Sequence, residues 1–93
     1  MIEYLYNTIR ATAGDDMQVT AVITDDHGND ITSDCKFAIF SVDDQLLVST
    51  VGEYTSDVWH FTIPTDELKK GKYWYCIYHH DERLSFMQRL YLV

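Results

Sequence analysis

Apolar and polar residues alternate with a period of two along most of the chain. Met17, Val19, Ala21 and Ile23 share one side of a segment whose other side carries Gln18, Thr20, Val22 and Thr24. That period, with so many β-branched residues, predicts a strand, and the turn-forming run Asp25-Asp26-His27-Gly28-Asn29-Asp30 ends it. Cys35 to Val42 predicts a second strand, with Cys35, Phe37 and Ile39 on one face. Asp43-Asp44-Gln45 turns the chain into Leu46 to Val51, and Gly52-Glu53 breaks it before Val58 to Ile63. Pro64 stops that strand, because proline has no amide N–H to continue the ladder.

Thr65-Asp66-Glu67-Leu68-Lys69-Lys70 is the one helix-like stretch. Its threonine sits at a capping position, its acids come early and its lysines late, so one helical turn is expected near 65–70, ending at Gly71. Tyr73 to Tyr78 is strongly β-prone, His79-His80-Asp81-Glu82 is its turn, and Leu84 to Val93 is the last strand. At the other end, Ile2 to Tyr6 alternates and Thr8 to Ala13 continues toward Gly14. About seven short strands with frequent turns predict an antiparallel β-sandwich, a small barrel being the alternative. The crossover helices of a parallel α/β fold have no room here. At 93 residues the chain is expected to form a single domain spanning 1–93.

Composition narrows the function classes. Hydrophobic residues make up 46% and charged residues 24%, as in a folded globular protein rather than a disordered one. Seven Lys and Arg against fifteen Asp and Glu leave a net charge of −8, which on average repels nucleic acid and anionic lipid. The N-terminus has no basic start followed by an apolar run of secretory type, and Tyr73–Tyr78 is too short to cross a bilayer as a helix. Without an export signal, Cys35 and Cys76 are expected as free buried thiols, although spacing alone leaves a disulfide open.

Candidate chemistry is sparse. His79-His80-Asp81-Glu82 resembles a ligand cluster, but neighbouring strand residues point to opposite faces unless the turn bends them together, so a polar hairpin turn explains them better. In Asp25–Asp30, His27 stands where a calcium loop needs an oxygen ligand, and the glycine comes too early. No nucleophile elbow, oxyanion loop or phosphate-binding glycine loop is present, so the chain reads as neither an enzyme nor a cofactor binder. Its aromatic share of 14% is more informative. If Tyr73, Tyr75 and Ile77 face the core, then Trp74, Cys76 and Tyr78 face outward, either covered by the chain itself or offered to a partner or a sugar. Tyr4 and Tyr6 lie on an N-terminal segment that is either an edge strand or an arm pairing with a neighbouring subunit. Tyr4, Tyr6, Trp74 and Tyr78 are thus the candidate interface residues.

The chain from Gly14 onward resembles the small immunoglobulin-like domains of tailed-phage structural proteins, in particular the N-terminal domain of baseplate upper proteins. The likeness rests on several short motifs. They are Gly14-Asp15-Asp16 before the strand Met17–Ile23, the turn Asp26-His27-Gly28, the run Trp59-His60-Phe61-Thr62-Ile63-Pro64, and Leu68-Lys69-Lys70-Gly71-Lys72-Tyr73-Trp74-Tyr75. A last strand ends in Leu92-Val93, with Arg89-Leu90-Tyr91 where the family often has a glycine. The resemblance implies an immunoglobulin-like sandwich and a non-catalytic virion component of tail, baseplate, connector or head decoration. Such a protein is assembled in the host cytoplasm and binds other virion proteins or itself, with no nucleic acid or membrane among its partners. The alternative is a carbohydrate-binding sandwich that uses Trp74 or Trp59.

Overall fold

The computed structural model describes residues 9–84 and 87–93. The strands are β1 (Ile9–Ala11), β2 (Met17–Ala21), β3 (Cys35–Phe40), β4 (Leu46–Val51), β5 (Glu53–Thr55), β6 (Val58–Ile63), β7 (Gly71–His79), β8 (Glu82–Arg83) and β9 (Gln88–Leu92). They form two sheets. The larger runs β1-β9-β7-β3-β4, with β8 added to β7, and the smaller runs β2-β6-β5. All pairs are antiparallel except β1, which lies parallel to β9. Two separate sheets exclude the barrel. A three-stranded sheet facing a larger one that carries the later strands is the arrangement of an immunoglobulin-like sandwich.

Alternation decides the packing. β2 reads buried-exposed-buried throughout, and β6 buries Trp59, Phe61 and Ile63 while exposing His60 and Thr62. From the opposite sheet, Cys35, Phe37, Ile39, Tyr75, Ile77, Leu90 and Leu92 close the same core. Phe37 stacks on Tyr75 at 5.1 Å between ring centroids with planes 7° apart, and meets Phe61 across the sandwich at 5.9 Å. Trp59 stacks on Phe61 at 6.1 Å, and its indole N–H donates to the Ile31 carbonyl at 2.6 Å. Each such ring contributes about 2 kcal/mol relative to leaving it in water.

Several sequence expectations are corrected. There is no helical turn at 65–70; instead Leu68 N–H donates to the Thr65 carbonyl in a single turn. Thr65 is fully buried, and its hydroxyl accepts from Gly14 N–H at 3.2 Å and donates to the Asp15 carbonyl. That side chain clamps two loops and is not free to cap a helix. A six-residue run also cannot repay the cost of nucleating one. Two short strands, β5 and β8, fall where only a break and a turn were expected. β5 and β6 join through Ser56 and Asp57, both at positive φ (56° and 66°), a two-residue turn without the usual Asn-Gly signal.

Gly52 lets the chain pass from β4 to β5 against the core. A methyl group there would lie 2.5 Å from Phe61 Cε1 and 2.8 Å from Trp59 Cε3, both on buried rings. We expect Gly52→Ala to lower unfolding free energy by about 1–3 kcal/mol, read by denaturant titration. Replacing Ser56-Asp57 by Asn-Gly should raise it by about 0.5–1 kcal/mol by relieving two left-handed residues. An unchanged Gly52→Ala midpoint would contradict the packing described.

Candidate functional site

The pleat that sends Phe37, Ile39, Tyr75 and Ile77 into the core sends their neighbours to the other side of the larger sheet. Register then arranges those neighbours in rows across the strands. Arg10, Tyr91 and Lys72 stand side by side on β1, β9 and β7. Next come Arg89, Trp74, Phe40 and Leu46, on β9, β7, β3 and β4. Cys76, Ala38 and Ser49 form the third row, and Arg83, Tyr78, Lys36 and Val51 the fourth.

This outer face has its own small apolar cluster. Ala38, Phe40 and Cys76 are buried in it, with Trp74, Tyr78 and Met87 packed against them. Phe40 and Tyr78 are 6.4 Å apart, and the Arg89 guanidinium lies 5.7 Å from the Trp74 ring. The same guanidinium hydrogen-bonds the Tyr91 hydroxyl at 3.5 Å. Around the cluster, Val42, Leu46 and Val51 are 63%, 55% and 71% exposed. Two shallow grooves cross the face: one of 140 Å³ between Trp74, Arg89, Tyr91 and Val42, and one of 230 Å³ beside Phe40, Tyr78, Lys36 and Asp81.

Trp74 and Tyr78, expected as interface residues, both stand on this face, half-buried by their neighbours in the sheet. Tyr4 and Tyr6 lie outside the described residues. Trp59, the other tryptophan offered as a sugar platform, is 3% exposed and belongs to the core. Missed in the sequence were the cations that share the face. Of the seven lysines and arginines, five stand outward here: Arg10, Lys36, Lys72, Arg83 and Arg89. Lys72 has the same parity as Trp74, and Lys36 lies between the inward Cys35 and Phe37, so both were legible; the others needed strand register.

Asp25 and His80, in the groups that resemble metal sites, are held by other contacts, whereas the buried Nδ1 of His79 has no hydrogen-bond partner among the described residues. Asp25 Oδ1 accepts from the backbone N–H groups of His27 and Asn29, at 2.9 Å each, and so closes its own turn. His80, at φ 56°, is bent by the turn back beside His79, with ring centroids 4.1 Å apart. Its Nδ1 lies 3.3 Å from an Asp34 oxygen. Among the described residues no group of three or more His, Cys, Asp or Glu side chains is placed to hold a metal ion. An open cleft of 490 Å³ runs along β1 and β2 past Asp15 and Asp16, and no histidine, cysteine or serine lines it among the described residues.

Cys35 and Cys76 are both free and buried. Cys35 points into the sandwich and Cys76 to the outer face, so the sheet itself keeps them apart. Burial, and then the charge of Asp34, pushes the Cys35 thiol up to about 11. Burial also raises Cys76, with Tyr78 and Arg83 pulling the other way. Burial, then Asp30 and Asp57, raises the Tyr54 phenol. No family model matches the chain, and no curated protein matches it in sequence.

Both thiols should therefore be inert to a disulfide reagent at pH 8 in the native protein and react fully once it is unfolded. Between pH 9 and 11 the unfolded chain has released the Cys35 proton while the folded one keeps it, so stability falls as pH rises through that window. Cys35→Ala, although less stable throughout, should lose less over the same interval. Rapid labelling of native protein would contradict the assigned burial.

Proposed function

We propose that this chain is a non-catalytic structural or assembly module, a tailed-phage virion component that works through protein–protein contacts. The observation that carries the reading is the outer face of the larger sheet. Val42, Leu46 and Val51 stand in water there beside Phe40, Trp74, Tyr78 and Tyr91. Aromatic and arginine side chains around a small apolar centre are what contact surfaces favour. The outer face of the smaller sheet offers a contrast, with Gln18, Thr20, Glu53, Thr55, His60 and Thr62 exposed. A sandwich needs one apolar side per sheet, and the larger sheet has two.

The partner class follows from the resemblance as well as from the face: other virion proteins, in tail, baseplate, connector or head decoration, or further copies of this chain. A second reading, sugar binding, draws on the groove in which Trp74 and Tyr91 flank Arg89. Two experiments separate them. Mass spectrometry of gradient-purified particles of the encoding phage should find the chain at fixed copy number, and Trp74→Ala should weaken its incorporation. A chain left wholly in the soluble lysate would contradict the virion reading. Glycan binding by wild type that disappears in Trp74→Ala would favour the sugar-binding reading instead.

A further inference from the structure

The five outward cations of the larger sheet occupy a molecule whose net charge is −8, so the opposite charge is concentrated elsewhere. Five of the fifteen carboxylates lie together at one end of the sandwich, while Asp15, Asp16, Asp43, Asp44, Asp66 and Glu67 are exposed on other turns. Asp25, Asp26, Asp30, Asp34 and Asp57 are all exposed on the turns there. The Tyr54 hydroxyl lies 3.4 Å from an Asp30 oxygen and 3.5 Å from one of Asp57, which places the turn after β2 beside the β5–β6 turn. Asp34 reaches His80 at the adjoining end of β7. The outward strand positions of the larger sheet, by contrast, hold no carboxylate among the described residues, and Asp81, from the turn after β7, borders the groove beside Tyr78 and Lys36. Asp44, from the β3–β4 turn, is the carboxylate whose charge reaches Arg83.

Resting on the protein-contact reading above, we infer that this cationic aromatic face docks the acidic end of a second copy of the chain. The two surfaces differ, so the contact is heterologous: each copy offers one surface to the copy before it and the other to the copy after. Charge complementarity sets the orientation, since face against face or end against end would oppose like charges. The apolar centre around Phe40 and Trp74 supplies the contact area. Four rows on five strands span a patch of about 20 by 20 Å. A contact of that size buries about 800 Å² over both partners, at the low end for specific association. A single contact is therefore weak, dependent on salt and concentration, and strengthened by repetition in an assembly.

Sedimentation velocity of the full chain, from micromolar to millimolar at low and high salt, tests this. Association should appear at low salt and high concentration and be suppressed by 0.5 M NaCl. Lys72→Glu with Arg89→Glu should weaken it at least tenfold, and so should Asp26→Lys with Asp30→Lys. Lys69→Glu with Lys70→Glu, off the face, should leave it unchanged. Mixing the face variant with the end variant should restore association, since each retains the surface the other has lost. Circular dichroism melts check that all variants fold.

A wild-type chain that stays monomeric at low salt overturns the proposal, as does association indifferent to the face variant or a mixture that fails to associate. A labelled single-stranded oligonucleotide bound by a monomer and released by the face variant would assign the face to nucleic acid and overturn it too. If the head-to-tail contact fails while the chain is still found in particles, only this inference falls and the virion reading stands.

Discussion

The ring cluster of Phe61, Phe37 and Tyr75 is the contact on which the rest of the molecule depends. It joins β6 of one sheet to β3 and β7 at the centre of the other, with rings 5.9 and 5.1 Å apart. Because strand side chains alternate strictly, placing Phe37 and Tyr75 inward leaves Ala38, Trp74 and Cys76 no choice but to face outward. A one-residue slip of β7 against β3 would bury Trp74 and Lys72 and expose Tyr75. The outer face, with its aromatics and cations, is thus the reverse side of a decision made in the core. Gly52 keeps that decision intact by letting the chain change sheets where any side chain would strike Phe61 and Trp59.

The strands themselves were legible wherever alternation was strong: β4 and β6 fall where the pattern put them, and β2, β3 and β7 differ only at their ends. The inward set Tyr73, Tyr75 and Ile77 was legible for the same reason. What failed was local chemistry overruled by distant contacts. Thr65 looks like a helix cap, yet its hydroxyl is bound by backbone fifty residues earlier in the chain. Ser56-Asp57 carries no glycine, so the hairpin that creates β5 left no signal. The parallel pairing of β1 with β9 joins opposite ends of the sequence, and no local pattern foretells it.

The candidate site was legible only by halves. Trp74 and Tyr78 could be assigned outward by parity, but their neighbours are chosen by register, which brings Arg89 beside Trp74 and Lys36 beside Tyr78. Net charge misled in the same way. A value of −8 describes the average and hides a molecule with cations on one face and carboxylates on its turns. In the docking proposed above, the acidic turns would furnish the surface complementary to the cationic face, so the contact would weaken as ionic strength rises.

Two tryptophans, one in each environment, offer the most direct test that the outer face of the larger sheet docks a second copy. Trp59 is enclosed and hydrogen-bonded to Ile31, whereas Trp74 lies under Arg89 on the outer face. Their indole N–H resonances can be followed by NMR as protein concentration rises at low salt. Docking through this face shifts the Trp74 signal and leaves the Trp59 signal still. Two stationary signals, or movement of Trp59 alone, would contradict it.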